Sequence, residues 1–341
     1  MHPALRNALV LSSVVLWGGG CQHTRPGLEA SGTPSSQHLV IDAGSSGTRF
    51  IRYEMKRGPR GCEATFMDVE ATPQGTPGLA TLCAQGTAVD WLKGRSFKGL
   101  PRENVVLIGT GGFRRLRKED EATYQRCWKA LNESLADRIG SLNVVDGKRE
   151  GELAWLAVDQ QLDSSGKAFS ILEIGGVSVQ FATGTSRSSI RSVSEDGVGV
   201  HSIAKALEAP AKGSCGLDGS TSASFESCRD AVAQLLAKSR FLADVKSALP
   251  EMGARPVYGV GEGWLLEGQP EGNLASTDLE PQGRAACEQK PPQPRCYPLA
   301  YTSALLKVMN ITTIHRTNPY PSWTRGAAVH EDYFPACHLS Q

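Results

Sequence analysis

Short hydrophobic runs that end in glycine-rich turns recur along the chain and predict β-strands. A run at 38–41 leads into the turn DAGSSGT and is followed by a second run at 48–53. In the second half of the chain, runs at 169–174 and 177–182 flank a similar turn, and a further run at 105–108 ends in glycines. Runs of this length bounded by glycine and serine are typical of buried strands. We therefore predict two strand–turn–strand units, one in each half of the chain.

Other segments have hydrophobic residues spaced for one face of a helix. Between 118 and 140 such residues recur every three or four positions, namely Tyr124, Trp128, Leu131, Leu135 and Ile139. The same spacing predicts a helix at 222–238, and further helices are expected from about 150 and at 298–308. Strands that alternate with helices indicate an α/β protein. The repeated unit suggests two duplicated lobes around a cleft.

The composition excludes several classes of protein. The chain has 341 residues, of which 40% are hydrophobic and 21% charged. This is enough to bury about two domain cores, and it excludes a disordered or collagen-like protein. Lysine and arginine number 36 against 35 acidic residues, so the net charge is +1. Such a balance provides no long-range attraction for nucleic acid. We expect no nucleic-acid partner, and any phosphate site must be built locally.

The N-terminus has the layout of a secretory signal peptide. A basic segment at 1–6 precedes a ten-residue apolar stretch at 8–17, which is too short to span a bilayer. The segment continues into GGGC, which resembles a bacterial lipoprotein processing site with Cys21 as the modified residue; ordinary cleavage without a lipid is the alternative. We predict a signal or lipoprotein anchor at 1–21 and a flexible linker at 22–37. The protein would be exported, either periplasmic, outer-membrane-anchored or secreted, and would touch a membrane only through this anchor.

The chain has nine cysteines, and export makes disulfide bonds possible. If Cys21 is lipidated or removed, an even set remains, but spacing alone does not decide how its members pair. Pairing between sequence neighbours is expected, which gives three candidate disulfides: Cys62–Cys83, Cys215–Cys228 and Cys287–Cys296. The sequence contains neither a CxxC pair nor an HExxH motif, so a zinc site is not expected.

Two glycine turns carry the residue types that a phosphate and a metal ion need. Each begins with an acidic residue at a strand end, Asp42 in DAGSSGT and Glu173 in EIGGVSVQ. Glycine lets backbone N–H groups approach an anion, hydroxyls add donors, and the acids suit a hydrated divalent cation. Alone, either turn is an ordinary hairpin turn; together they indicate a site that clamps a polyphosphate and its metal. Gln180 replaces the closing glycine of a hydrolase nucleophile motif, so we expect the Ser178 hydroxyl to position water.

Four segments, in this order, resemble the first four conserved regions of the apyrases, the ecto-nucleoside triphosphate diphosphohydrolases. They are DAGSSGTR (42–49), GTGGFR (109–114), EGELAW (150–155) and EIGGVSVQ (173–180), and SWTRG (322–326) resembles a further element near the C-terminus. The resemblance implies an α/β fold of two actin-like, ribonuclease-H-like lobes with the active site in the cleft between them. The first lobe would comprise 38–145 and 317–341, and the second lobe 146–316.

The resemblance also implies which residues carry out the reaction. Glu150 would be the base that deprotonates an attacking water. Ser178 and Gln180 would hold this water in line with the terminal phosphorus, and Thr110 would lie nearby. Without the resemblance, Glu150 would be interpreted as an acid that stabilises the start of a helix.

The remaining implied roles concern the metal ion and the phosphate groups. Asp42 and Glu173 would bind the water shell of Mg²⁺ or Ca²⁺, with Trp323 close to it. The phosphate cradle would consist of Ser45, Ser46, Gly47, Thr48, Gly175 and Gly176. Arg114 either contacts phosphate or belongs to a solvated basic helix flank.

The sequence departs from the family pattern in two places. Glu173 stands where the family usually has aspartate, so the metal geometry or preference could differ. The aromatic residues that stack on the nucleobase are hard to locate. Trp264 and Tyr258 are the candidates, with Tyr297 as a third, although buried aromatic residues more often belong to a core.

The function predicted in this way is hydrolysis of nucleoside tri- and diphosphates to the monophosphate and phosphate by a monomer that needs Mg²⁺ or Ca²⁺. An exopolyphosphatase or guanosine pentaphosphate phosphatase is the first alternative, and Gln180 argues against it because those enzymes have glutamate there. A non-catalytic nucleotide-binding lipoprotein is the second alternative, which the presence of Glu150 and Ser178 disfavours.

Overall fold

Two β-sheets and the helices packed on them make up the computed structural model, which describes residues 36–45, 47–58, 61–71, 76–97, 99–162, 166–219, 223–248, 255–261, 272–316 and 322–337. The predicted anchor, most of the linker, and the candidate site residues Ser46 and Trp264 lie outside the described residues. The described residues belong to one compact unit. Among them, no helix is long and apolar enough to cross a bilayer.

The first sheet has five strands in the order β3-β2-β1-β4-β5. They are β1 (Ser36–Ala43), β2 (Thr48–Gly58), β3 (Gly61–Ala71), β4 (Val105–Gly109) and β5 (Ser141–Val144). β1 pairs with β2 in antiparallel orientation across the first glycine turn and with β4 in parallel orientation. Val40 and Ile41 are fully buried, because this central strand is covered on both faces and therefore needs a continuous apolar run. β1 begins two residues before the predicted strand start at position 38.

The second sheet has six strands in the order β10-β11-β9-β6-β7-β8. They are β6 (Phe169–Ile174), β7 (Ser178–Gly184), β8 (Arg191–Asp196), β9 (Val257–Val260), β10 (Asn273–Ala275) and β11 (Thr313–His315). β6 repeats the arrangement of β1, because it is antiparallel to β7 across the second glycine turn and parallel to β9. Each sheet therefore contains one of the predicted strand–turn–strand units.

Twelve α-helices pack on these sheets within the part of the chain that is described. They are α1 (Leu79–Ala84), α2 (Ala88–Lys93), α3 (Gly111–Glu119), α4 (Glu121–Leu135), α5 (Gly147–Leu162), α6 (Val200–Ala206), α7 (Ala209–Ser214), α8 (Phe225–Ala237), α9 (Phe241–Ala248), α10 (Ser276–Cys287), α11 (Cys296–Met309) and α12 (Trp323–Ala328). The helix predicted at 118–140 corresponds to α4, which starts later and ends earlier than predicted. Asp120 separates it from α3 and caps it, since its side chain accepts a hydrogen bond from the Thr123 N–H at 3.0 Å.

Helix α12 connects the C-terminal segment to the rest of the molecule. It packs against α5 and against β1, β2 and β3 of the first sheet. The contact with α5 depends on Gly326, because a Cβ at this position would overlap the carbonyl oxygen of Leu153. The proximity of α12 to the first sheet is compatible with placing the C-terminal segment in the first lobe, and the lobe boundaries themselves stay a prediction.

Four disulfides are present among the described residues. Cys215–Cys228 and Cys287–Cys296 confirm two of the expected pairs. The expected Cys62–Cys83 pair is wrong, since the structure pairs Cys62 with Cys337 and Cys83 with Cys127. The reason is tertiary packing: β3 lies beside the C-terminal segment, and α1 lies on α4. Neither neighbour relation is visible in the spacing of the cysteines.

Candidate active site

Three acidic side chains line one cleft of about 740 Å³. Asp42 lies near the end of β1, Glu173 near the end of β6, and Glu150 in the first turn of α5. All three are buried, with exposed fractions of 7%, 3% and 7% respectively. Because β1 and β6 hold equivalent positions in the two sheets, the acids at their ends meet between the lobes.

Most of the other predicted site residues line the same cleft. They are Ser45, Thr110, Gly175, Gly176, Ser178 and Trp323. The described lining does not include Gly47, Thr48, Gln180, Arg114 or Tyr258. Thr48 is fully buried, and its Oγ1 accepts a hydrogen bond from the backbone N–H of Leu79 at 3.1 Å. The Thr48 side chain thus attaches the start of α1 to the first glycine turn.

The two glycine turns approach each other at Gly176. A Cβ at this position would lie 3.0 Å from Ser45 Oγ and 2.7 Å from His201 Nδ1. Only a residue without a side chain lets the two turns and α6 come this close. His201 lines the cleft, and its backbone N–H donates to the Gly176 carbonyl oxygen at 2.9 Å. It is absent from the predicted site because no motif in the sequence points to it.

The guanidinium of Arg114 joins four parts of the molecule. Nη1 donates to Glu150 Oε2 at 2.9 Å and to the Val145 carbonyl oxygen at 3.0 Å. Nη2 donates to Ser178 Oγ at 3.1 Å and to Asp196 Oδ1 at 2.9 Å, and Nε donates to Asp196 Oδ1 at 3.2 Å. Each of the five N–H groups of a guanidinium therefore has a protein acceptor. Arg114 does not belong to a solvated helix flank, and in this arrangement its N–H groups are all engaged by protein rather than by phosphate.

Asp196 is a candidate functional residue that the sequence analysis does not include. It is the last residue of β8, and its half-exposed carboxylate binds the side of Arg114 opposite Glu150. A signal for it does exist in the sequence. The segment SEDG at 194–197 again places an acid and a glycine at the end of a strand, as the two glycine turns do.

Ser178 and Gln180 lie two residues apart on β7 and therefore share one face of the strand. Gln180 Nε2 donates to Ser178 Oγ at 2.7 Å, and Ser178 Oγ accepts a second N–H from Arg114. With both acceptor positions in use, the Ser178 hydroxyl retains its proton as a donor. Gln180 Oε1 is buried and has no hydrogen-bond partner in the described part of the chain.

The electrostatics of the acids fit a divalent cation. Burial raises the pKa of Glu150 against the opposing effect of Arg114. Burial raises the pKa of Glu173 well above its usual value, and the charges of Glu150 and Asp42 raise it further. Glu173 Oε2 is also buried and has no hydrogen-bond partner within the described ranges. A hydrated cation would reduce the repulsion and supply a water donor to this oxygen.

The acids do not form a cage of direct metal ligands. No group of three or more histidine, cysteine, aspartate or glutamate side chains able to hold a metal occurs among the residues that the structure describes. The expected binding of Mg²⁺ or Ca²⁺ by Asp42 and Glu173 through its water shell stays a prediction.

The described aromatic candidates for base stacking are engaged elsewhere. The Tyr258 ring packs edge-on against Phe169, with 5.7 Å between ring centroids, and against His315 at 5.2 Å. Tyr297 lines the cleft, but it is 5% exposed and its hydroxyl donates to the Val200 carbonyl oxygen at 2.5 Å. Both rings belong to the packed interior, as buried aromatic residues usually do.

Comparison with known sequences identifies a family that matches about half of the chain and one relative that matches a similar length. The GDA1/CD39 (nucleoside phosphatase) family matches residues 31–208. Ectonucleoside triphosphate diphosphohydrolase 6 of Homo sapiens is 27% identical over 187 residues, which are 49% of this chain and 37% of the human protein. The chain therefore matches well under half of the length of this curated relative.

Comparison with solved structures confirms the α/β fold of two actin-like lobes. An exopolyphosphatase from Cytophaga hutchinsonii is 15% identical and superimposes with a TM-score of 0.59, covering 90% of this chain and 100% of that one. The Ppx/GppA phosphatase of Aquifex aeolicus is 13% identical and superimposes with a TM-score of 0.54, covering 86% of this chain and 98% of that one. A structure of nucleoside triphosphate hydrolases from Neospora caninum is 14% identical and superimposes with a TM-score of 0.50, covering 88% of this chain and 93% of that one. At these identities the likeness concerns the fold alone.

Proposed function

This chain belongs to the GDA1/CD39 nucleoside phosphatase family, and we propose that it hydrolyses nucleoside tri- and diphosphates to the monophosphate and phosphate. The observation that carries the proposal is the position of Glu150. This buried carboxylate lines the cleft between two glycine turns and receives a hydrogen bond from Arg114 at 2.9 Å. Arg114 also binds Ser178, so the proposed base and the proposed water-positioning hydroxyl are held by one cation.

In the proposed reaction, Glu150 accepts a proton from the attacking water. The Ser178 hydroxyl donates to the oxygen of this water, and Gln180 Oε1, which has no partner among the described residues, accepts its second proton. These contacts aim the remaining lone pair of the water at the terminal phosphorus. The bond from the water oxygen to the terminal phosphorus forms as the bond from that phosphorus to the bridging oxygen of the nucleotide breaks. The nucleotide, shortened by one phosphate, is the leaving group; inorganic phosphate is the second product, and no covalent enzyme intermediate is needed.

The phosphate groups would lie between the two glycine turns. Backbone N–H groups of the first turn, with Ser45, and of Gly175 and Gly176 in the second turn provide the donors. Asp42 and Glu173 would hold a Mg²⁺ or Ca²⁺ ion through its water shell, close to Thr110 and Trp323. When bound, this cation neutralises phosphate charge and orients the reacting group.

We further propose that the protein is exported as a monomer, with or without a lipid on Cys21. Four disulfides support this location, because disulfides persist in oxidising compartments. The substrates would then be nucleotides outside the cytoplasm.

The test is release of phosphate from ATP, GTP, UTP and their diphosphates by purified protein with Mg²⁺ or Ca²⁺. Glu150→Gln should lower kcat by about 10²- to 10⁴-fold, the usual contribution of a positioned base. Glu133→Gln, in an exposed side chain on α4, is the matched control and should change nothing. Near-normal turnover by Glu150→Gln would contradict the assigned role. Nucleotide binding without turnover by the wild type would favour the non-catalytic alternative.

A further inference from the structure

Exposed hydrophobic side chains are concentrated in the cleft. Four large hydrophobic residues are strongly exposed among the described residues, and three of them line the cleft that holds the acids. Phe66 and Val69 on β3 are 43% and 49% exposed, and Leu217, which follows α7, is 41% exposed. The fourth, Met67, is 44% exposed and is not part of the cleft lining. A cluster of exposed apolar side chains in a cleft indicates a binding surface.

A shift in strand register brings two of these side chains to the same wall. Along β2 and β3, Ile51 pairs with Val69, and Tyr53 pairs with Phe66. These pairs are two residues apart on β2 but three residues apart on β3, because the register shifts between them and Met67 has no partner. Side chains two residues apart on β2 share one face, so the bulge lets Phe66 and Val69 both face the cleft. Bulges at a sheet edge beside an active site commonly redirect a side chain in this way.

The apolar wall and the acidic floor of the cleft suit different parts of one ligand. Ile51, Tyr53, Phe66 and Val69 line the cleft together with Asp42, Glu150 and Glu173. Inorganic polyphosphate has no apolar surface, so it would leave the wall exposed to water. A nucleotide has a polyphosphate that fits the floor and a planar base that fits the wall. Phe66 packs edge-on against Tyr53, with 6.4 Å between ring centroids, but it is 43% exposed and is therefore the ring of this wall on which a base can stack.

We propose that Phe66, with Val69 beside it and Leu217 from the other lobe, forms the nucleobase subsite, and that this wall makes the chain select nucleotides over inorganic polyphosphate. The inference rests on the proposed function, since it assigns the base of the same substrate. It gives strand β3 the role that the sequence analysis expects of Tyr258 and Trp264, of which Trp264 lies outside the described residues. Removal of a stacking ring typically weakens nucleotide binding by about 5-fold or more.

The test compares binding of ligands with and without a base. Calorimetry measures the Kd of the β,γ-methylene analogues of ATP, GTP and UTP and of the methylene analogue of tripolyphosphate, each with Mg²⁺, for the wild type, Phe66→Ala and Met67→Ala. These analogues are used because they resist hydrolysis at the terminal phosphorus. Met67→Ala is the matched control, because Met67 is equally exposed on the same strand but lies outside the cleft lining. Phe66→Ala should raise the Kd of the nucleotides by about 5- to 10-fold and leave that of tripolyphosphate unchanged. Leu217→Ala should act in the same direction, and Phe66→Tyr should retain nucleotide binding.

Three results would overturn the inference. The first is an unchanged Kd for nucleotides in Phe66→Ala. The second is an equal loss for nucleotides and tripolyphosphate, which would indicate a general disturbance of the phosphate site. The third is a change from dimer to monomer on Phe66→Ala in size-exclusion chromatography, which would assign the wall to contacts between copies of the chain. Because binding is measured without turnover, a wild type that binds nucleotides but releases no phosphate would refute the proposed function and leave the subsite assignment intact.

Discussion

Replacement of Arg114 tests how the proposed base is kept ionised. Burial raises the pKa of Glu150, and Arg114 opposes this effect through its charge and its hydrogen bond. The two side chains are both largely buried, with 13% and 9% of the Arg114 and Glu150 side chains exposed. In Arg114→Ala the carboxylate keeps its burial and loses its cation. The pKa of Glu150 should therefore rise further, and more of the base should be protonated at neutral pH.

The size of this change follows from the hydrogen bond that is lost. A hydrogen bond to a charged group contributes about 1.5–3 kcal/mol, and one pKa unit corresponds to about 1.36 kcal/mol. The acidic limb of the pH profile of kcat/KM should therefore move to higher pH. Below this limb, kcat/KM should fall by about 10- to 100-fold.

The assay measures phosphate release from ATP between about pH 5 and about pH 9 at a fixed excess of Mg²⁺. This range of pH brackets the expected limb. Arg117→Ala is the matched control, because Arg117 lies on the same helix with its side chain 60% exposed. It pairs with the solvent-facing Glu121 and lies over the Tyr124 ring, neither of which lines the cleft. Asp196→Asn should move the limb in the opposite direction, since the charge of Asp196 raises the pKa of Glu150. An unmoved limb in Arg114→Ala, with a higher KM for ATP and an unchanged kcat, would refute the reasoning. Arg114 would then act as a phosphate ligand.

Two further predictions concern the cation and the packing of α12. In metal-free protein, stability should fall as the pH rises above 4.5, the usual pKa of Glu173, because the folded state retains this proton after the unfolded chain has lost it. Glu173→Gln should reduce this loss of stability with rising pH, and it should abolish the increase in Tm on adding Mg²⁺. A Glu173→Gln protein whose Tm still rises with Mg²⁺ would contradict the proposed metal site. Gly326→Ala should lower the Tm by several degrees, because overlap with the Leu153 carbonyl costs about 1–3 kcal/mol. Gly94→Ala, at φ −71° with ordinary contacts, should not change it, and equal Tm values for the two variants would refute the packing argument.

The fold that the chain shares with an exopolyphosphatase and a Ppx/GppA phosphatase does not decide its substrate. In the proposed base subsite, selection of a nucleotide depends on side chains outside the glycine turns, namely Phe66 on an edge strand and Leu217 after α7.

The sequence by itself determined the parts of the protein that depend on local interactions. The runs at 38–41 and 169–174 became central strands because continuous apolar stretches are buried on both faces. The acids Asp42 and Glu173 could be placed because each lies one residue before the end of its strand, and the glycine turns could be placed because each follows its strand directly. The sequence also predicted the disulfides Cys215–Cys228 and Cys287–Cys296 correctly, since the two cysteines of each pair are close along the chain.

Only the tertiary structure decided which distant groups meet. A hydrophobic pattern defines which face of an element is buried, but it does not identify the polar groups that lie opposite that face. Arg114 therefore could not be assigned to Glu150, Ser178 and Asp196, which come from three other elements. The same holds for Cys62, whose partner Cys337 is 275 residues away. The apolar wall around Phe66 depends on a one-residue shift in strand register, and such a shift changes which face a side chain occupies while leaving the sequence pattern the same.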